Sequence, residues 1–575
     1  MKENFVDTLN GLPDYEFYVD ESEYKNYMIL SGEYKPFIIT DKFVYRIMKK
    51  KIKDEIQFSV CPICTYVKIM VCYQDVITNE RSYLVELYNG NDVVEVKCDS
   101  TILTSTGTQQ ILKYGCIYNE KNVKHIIEYL TICALKAPVE YCHSNIGWLI
   151  NDKRTVFLGN KSYSTDGFSS KYVGELSLQP TGSLDDWKQM INDEIFHKEN
   201  KNLMFAMTLG FSGIILGYLN NFIDIGNLMF NYCGNSSKGK TTAAMLATSA
   251  FSKPMFNKGL ITTFNGTTNA LITFVSQASA NTVVIDEVAT AEKASFRKVL
   301  YQMCSGAERI RLNTAGEMKK TKTFNSLIIS TAEFSIIDET APEGLKTRIF
   351  ELEHSLTTDS QNSEHIKNCV LSNYAVAGEK FVEFIFENKL SSILDDYNKI
   401  YKKIKKLYEK KELNKHNLTD RILSKLSVIY LTASYLDELF FVENNISSCI
   451  LRCIVEIERS VATQDDVSQK ALDYIMQYLS KNRKKFVTRN TDASDETLDS
   501  FSIEGAISNK STYKQVIILK EIVEDILRKR GFENLKLILC KWESDGILIT
   551  EKDRKYKRLK LIKYGEVQPC YVFRI

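Results

Sequence analysis

Several absences narrow this chain before any motif is read. It has no charge excess: 74 Lys and Arg against 72 Asp and Glu leave a formal charge of +2. That excludes a polyanion-coated surface and confines any nucleic-acid contact to local basic patches. Proline is scarce, at 8 residues, and with the abundance of Lys, Ile, Asn and Tyr this suits a low-GC host. No secretory signal opens the chain, since Met1-Lys2-Glu3-Asn4 leads into acidic, aromatic sequence. The expectation is a cytoplasmic protein whose 14 scattered cysteines are reduced and mostly buried. Cys61-Pro62-Ile63-Cys64 has no second CxxC or HxxxH at ligand spacing, and its flanks alternate like strands, so structural cysteines are favoured over zinc. Long uninterrupted apolar runs are missing too. The longest, Leu203 to Leu219, is broken by Gly210, Ser212, Gly213 and Gly217, which predicts a buried helix rather than a membrane segment.

What is present is a globular composition, 44% hydrophobic and 25% charged, on a 575-residue chain too long for one core. About three or four domains are expected. Gly234-Asn235-Ser236-Ser237-Lys238-Gly239-Lys240-Thr241 completes a GxxxxGK[ST] phosphate loop, the Walker A pattern. Leu228-Met229-Phe230 enters it as a strand, and Thr242-Ala243-Ala244-Met245 leaves it as a helix start. Backbone N–H groups of such a loop wrap phosphates, and the helix N-terminus adds partial positive charge. Lys240 would reach the terminal phosphates of ATP and Thr241 would ligate Mg²⁺, with the rest of the loop and Thr242 as further nucleotide contacts. Further on, the apolar strand Val283-Val284-Ile285 ends in Asp286-Glu287. Asp286 would hold the metal's water shell and Glu287 would polarise the attacking water.

Helix and apolar strand then alternate, predicting a largely parallel, doubly covered sheet. A helix is expected from Ala291 to Cys304. Two alternating arms around Thr314-Ala315-Gly316-Glu317 predict a hairpin, with Lys319, Lys320 and Lys322 on its second arm as candidate nucleic-acid contacts. The strand Ser326 to Ile329 ends in Ser330-Thr331, either of which could bond the water or the γ-phosphate. Beyond Pro342-Glu343-Gly344 comes Arg348.

Phosphate loop, acidic strand, basic hairpin, polar-tipped strand and loop-borne Arg, in that order, resemble the AAA+ ATPases of the MCM and superfamily III helicase branch. Gly147-Trp148, Gly182-Ser183-Leu184-x-x-Trp187, the phosphate loop with Thr242, and Thr263-x-Asn265-Gly266 resemble the MCM-like Rep and Cch helicases of staphylococcal pathogenicity islands, cassette chromosomes and related phages. The resemblance runs from about residue 55 to the C-terminus and is strongest from about 180 to 355. It implies a hexamer that translocates on single-stranded or forked DNA, with Arg348 reaching the neighbouring subunit's nucleotide and the basic hairpin in the pore. The competing function is an initiator or helicase loader that uses ATP as a switch without unwinding.

The expected domains are an α/β N-terminal domain (1–140), a connecting hairpin segment (141–195), the AAA+ core (196–380), a helical segment (381–464) and a winged-helix-like C-terminal domain (465–575). Within the first, strands Ser82–Tyr88 and Val93–Val96 form a hairpin, and Val123 to Leu135 is a helix. A helix opens after Ser183, with acids in its first turn. The lysines of Tyr401-Lys402-Lys403-Ile404-Lys405-Lys406 are the solvated face of an amphipathic helix. Arg421 is a weaker candidate for a second nucleotide sensor. In the last domain, helices are expected at Lys514–Lys529 and Leu535–Glu543, and β arms at Ile547–Thr550 and Cys570–Phe573. Arg554, Lys555, Lys557, Arg558 and Lys560 decorate the wing, where origin DNA is a candidate partner.

Overall fold

The computed structural model describes residues 17–19, 37–52, 55–235, 238–286, 299–300, 302–307, 323–333, 335–337, 343–410, 419–462, 467–488, 503–509, 513–530, 532, 535–551, 554–562 and 565–574. The expected basic hairpin and most of the expected helix from Ala291 to Cys304 lie outside these residues. The chain divides into two compact units, 1–179 and 180–575. It is a multidomain α/β protein with a parallel sheet and a C-terminal helix-turn-helix domain.

The first unit is strand-rich. Strands β1 (Phe17–Val19), β2 (Phe37–Ile39), β3 (Phe43–Ile52) and β4 (Glu55–Thr65) form an antiparallel sheet in the order β1-β4-β3-β2. Next come β5 (Val67–Asp75), β6 (Arg81–Tyr88), β7 (Val93–Asp99), helix α1 (Val123–Lys136) and β8 (Val139–His143). The expected hairpin is β6–β7, with Tyr88 paired to Val93. Ile126, Tyr129, Leu130 and Cys133 of α1 pack on the sheet core. Cys64 is buried among Cys116, Cys133 and Tyr129, and burial pushes its thiol well above the ordinary range. Strands β9 (Gly147–Asn151), β10 (Arg154–Leu158) and β11 (Ser162–Ser164) make the second expected hairpin and a third strand. β12 (Lys171–Tyr172) pairs with β8, and β8 with β5, so the segment 141–195 is divided between the two units.

The second unit opens with α2 (Leu184–Ile191), whose N-cap Ser183 accepts from Asp186 N and whose first turn holds Asp185 and Asp186. α3 (Lys201–Leu219) is apolar enough to span a membrane by length and composition, but 89% of its apolar window is buried inside the protein. Its glycines let neighbours approach. A Cβ at Gly213 would lie 2.3 Å from Asn281 C, and one at Gly210 2.3 Å from Ala247 O. β13 (Leu228–Cys233), α4 (Lys240–Ser249), β14 (Ile261–Thr263), α5 (Thr268–Gln277), β15 (Thr282–Asp286), β16 (Leu327–Ala332) and β17 (Ile349–Leu352) follow. The five strands are all parallel, in the order β14-β15-β16-β13-β17. Every residue of β13, β15 and β16 is buried, as continuous apolar runs in a doubly covered sheet require.

Helices α6 (Ser360–Ser372), α7 (Val376–Phe384), α8 (Ile393–Lys410), α9 (Thr419–Leu439) and α10 (Ile446–Ala462) follow. α8 buries Ile393, Tyr397, Ile404 and Tyr408 and leaves Lys402, Lys403 and Lys406 exposed, so its lysines are the solvated face. Lys425 of α9 is buried, donates to Ile225 O, and is pushed down to about 8 by desolvation and by the nearby Arg348 charge.

The C-terminal domain contains α11 (Val467–Lys481), β18 (Phe486–Thr488), β19 (Gly505–Asn509), β20 (Lys514–Leu519), α12 (Lys520–Lys529), α13 (Leu535–Ser544), β21 (Lys557–Leu559) and β22 (Gln568–Arg574). Two expectations are corrected here. Lys514–Leu519 is a strand and only Lys520–Lys529 is helical, because Gln515 to Leu519 is buried between β19 and β22. That environment selects the β-branched run Val516-Ile517-Ile518 for a sheet. Ile547–Thr550 is bridged to β22 through Leu548 rather than forming a strand, and the second wing arm is β21. The sheet is larger than a bare wing, in the order β18-β19-β20-β22-β21.

Candidate functional site

The C-terminal ends of β13, β15 and β16 meet at one cleft, a cavity of about 950 Å³. The phosphate loop turns from β13 into α4 through two glycines in the left-handed region, Gly234 at φ +131° and Gly239 at φ +78°. A Cβ at Gly239 would also lie 2.4 Å from Thr357 Oγ1. Both constraints admit only glycine. Lys240 Nζ donates to Gly234 O at 2.5 Å and Asn235 O at 2.9 Å, which holds its ammonium inside the loop.

Thr241 Oγ1 makes a long 3.4 Å contact with Asp286 Oδ2 at the tip of β15. Thr331 Oγ1, at the tip of β16, donates to the other oxygen, Asp286 Oδ1. Ser330 points elsewhere, donating to Asn231 Oδ1 at 2.9 Å, and Asn231 Nδ2 donates to Glu351 Oε1 at 2.8 Å. Thr331 lines the cleft and Ser330 does not. The Thr241 hydroxyl and Asp286 carboxylate are hard oxygen donors of the kind magnesium takes, and they are near enough to share one ion's shell. Loop, lysine and oxygen pair fit Mg²⁺-nucleotide.

The opposite wall was not read from the sequence. After β17 the chain passes along the cleft into α6. Leu356 N donates to Lys238 O at 2.8 Å, Thr357 packs on Gly239, and Thr242 Oγ1 lies 2.6 Å from Ser363 Oγ. Asp359 caps α6 by accepting from Asn362 N at 2.8 Å. Leu352, His354 and Leu356 face a second cavity of about 330 Å³, while Ser355 and Thr357 face the cleft. The only local signal was the polar string Ser355-Leu356-Thr357-Thr358-Asp359-Ser360, which reads as an ordinary helix cap. α6 is anchored from behind by Glu194, which accepts from Lys198 Nζ, Asn362 Nδ2 and His365 Nδ1 at 2.7, 2.8 and 2.9 Å. Burial acts to raise this carboxyl, but the three hydrogen bonds outweigh it and leave Glu194 below its ordinary value.

Arg348 is exposed at the start of β17, and its carbonyl accepts from Met229 N at the start of β13. It therefore sits at the sheet end opposite the phosphate loop, about 15–20 Å along the strand direction. Arg421 is exposed on α9 and is absent from the cleft lining. Ser236, Ser237, Glu287, Lys319, Lys320 and Lys322 lie outside the described residues.

Two family models match the chain. Residues 37–323 match a domain of unknown function (DUF927), and residues 466–575 match the Cch helix turn helix domain. A solved structure described as "SCCmec type IV Cch - active helicase" shares the fold, with a TM-score of 0.74 and 22% identity. The match covers 95% of this chain and 98% of that one. The resemblance to Cch helicases read from the motifs is thus met in both the overall fold and the C-terminal domain. No curated protein matches.

Proposed function

We propose that this protein is an ATP-driven DNA helicase of the AAA+ MCM-like type, assembling as a hexamer to replicate a mobile genetic element. The observation that carries this is the convergence of the phosphate loop, Thr241, Asp286 and Thr331 at the ends of three parallel strands. Phosphoryl transfer to water is mostly positioning and charge neutralisation. In this reading Lys240 leaves the loop carbonyls for the phosphates. Thr241 and Asp286 would hold Mg²⁺, which would supply charge neutralisation for the phosphates. Glu287 polarises the attacking water, and Thr331 fixes Asp286 and borders the γ-phosphate position. Ser330, bonded to Asn231, stabilises the sheet instead.

Arg348 is the transition-state cation. Its place at the far end of the sheet keeps it from its own cleft, which supports a role at a neighbour's. Lys319, Lys320 and Lys322 would grip the phosphates of a threaded single strand. The DNA-unwinding reading is also supported by the fold shared with a helicase. A forked-DNA unwinding assay with and without ATP tests it. ATP-dependent strand separation is expected, and DNA binding with ATP turnover but no unwinding would leave the switch-type initiator.

A further inference from the structure

We propose that the C-terminal domain holds duplex DNA by its edge strand β21 rather than by the second helix of its helix-turn-helix, and that the contact is to phosphates. The inference stands on charge placement and does not rest on the helicase reading, since either a motor or a switch can use a duplex anchor.

The second helix, α13, is poorly suited to enter a groove. Its solvent side carries Lys536 and Lys541, but Lys541 lies 3.9 Å from Asp545 and Glu543 adds a second acid, so the surface is close to neutral. Glu543 is moreover tied to Thr550 and Lys555. The inner side is committed to the core through Ile538, Leu539 and Trp542, with Trp542 Nε1 donating to Ser468 O at 2.8 Å.

β21 has the opposite character. Leu559 packs into the cluster around Val572 and Cys570, and alternation turns Arg558 to the other face. Arg558 and Lys560 are exposed and Lys557 is half-exposed, and none has a hydrogen-bond or ion-pair partner among the described residues. The strand ends its sheet, so its outer backbone edge also faces out. Unpaired cations beside free backbone N–H groups are what phosphate oxygens take. Two of the nearby acids are already engaged, Glu551 with Arg554 and Glu543 with Lys555.

The same strip argues for a duplex over a single strand. Single-strand sites stack bases on exposed aromatic rings. Among the described residues of the strip the aromatic, Tyr556, packs against the domain core and is covered by Lys520 Nζ at 4.9 Å and Arg554 Cζ at 5.7 Å from its ring centroid. Cations with no exposed ring beside them among the described residues read charge and helix shape rather than sequence.

The test is binding of the full-length protein to a blunt DNA duplex without nucleotide, across a salt series. Three phosphate contacts contribute about −2.7 to the slope of log affinity against log salt. The K557A/R558A/K560A variant is expected to lose that much slope and about tenfold or more in affinity at moderate salt. A charge-keeping K557R/R558K/K560R variant should retain both, and ATP hydrolysis stimulated by single strands should be unchanged in each. K536A/K541A should bind as the parent does. Unchanged duplex affinity and slope in the triple alanine variant would overturn the proposal. So would transfer of the loss to K536A/K541A, or an equal loss of single-stranded DNA binding in the triple alanine variant.

Discussion

Ser330 and Thr331 are adjacent on one strand and serve different networks. Ser330 Oγ donates to Asn231 at 2.9 Å inside the sheet, and Thr331 Oγ1 donates to Asp286 at the cleft. Alternation along β16 is the cause. Thr331→Ala is therefore expected to cut ATP turnover at least about tenfold, on the scale of losing a positioned hydrogen bond to a charged group. Ser330→Ala should cost about 1 kcal/mol of stability with turnover retained. Steady-state hydrolysis and thermal melts on the two variants separate these roles, and the reverse pattern would reassign them.

Arg348 and Lys240 stand at opposite ends of the parallel sheet, so in the proposed mechanism a complete catalytic site draws on two chains. Arg348→Ala should lower hydrolysis by about 10³–10⁵, the range for arginine fingers, while nucleotide affinity stays at the parent value. Mixing Arg348→Ala with Lys240→Ala, each inactive alone, should restore partial turnover at interfaces that join an intact loop to an intact finger. A mixture as inactive as its components would remove Arg348 from this role.

Gly239 has no substitute. Gly239→Ala places a methyl 2.4 Å from Thr357 Oγ1 at a φ that disfavours side chains, so loss of nucleotide binding is expected in a titration with a fluorescent ATP analogue. Thr357→Gly added to it relieves the contact but not the φ, and should recover only part of the affinity.

The wall helix α6 carries a pH dependence through Glu194. Its folded-state carboxyl lies below the unfolded value, so its contribution is present above the unfolded carboxylate range near about 4.3 and is lost as pH falls through the folded value. Glu194→Gln should flatten the acid limb of a melting-temperature profile and leave the curve above neutral pH parallel to the parent. A steeper acid limb in the variant would contradict this.

Local chemistry was legible and long-range chemistry was not. The strand and helix that flank the phosphate loop, the Asp286 strand and the Ser183 cap are each written in consecutive residues, and each appears where it was read. The wall of the cleft depends on Thr357 meeting Gly239 and Ser363 meeting Thr242, pairs separated by more than a hundred residues, so no spacing announced it. Choosing between Ser330 and Thr331 needed the phase of β16, which one residue of register reverses. The strand at Lys514–Leu519 was missed because its apolar run continues without a break into α12, and periodicity alone does not divide such a run.

Arg348 opens β17, and a few residues later the same chain delivers Leu356 to Lys238 and Thr357 to Gly239. In a ring built as proposed, the hand a subunit extends and the cup it holds lie on one short continuous stretch of chain. A load at the cup would then reach the hand through the peptide itself.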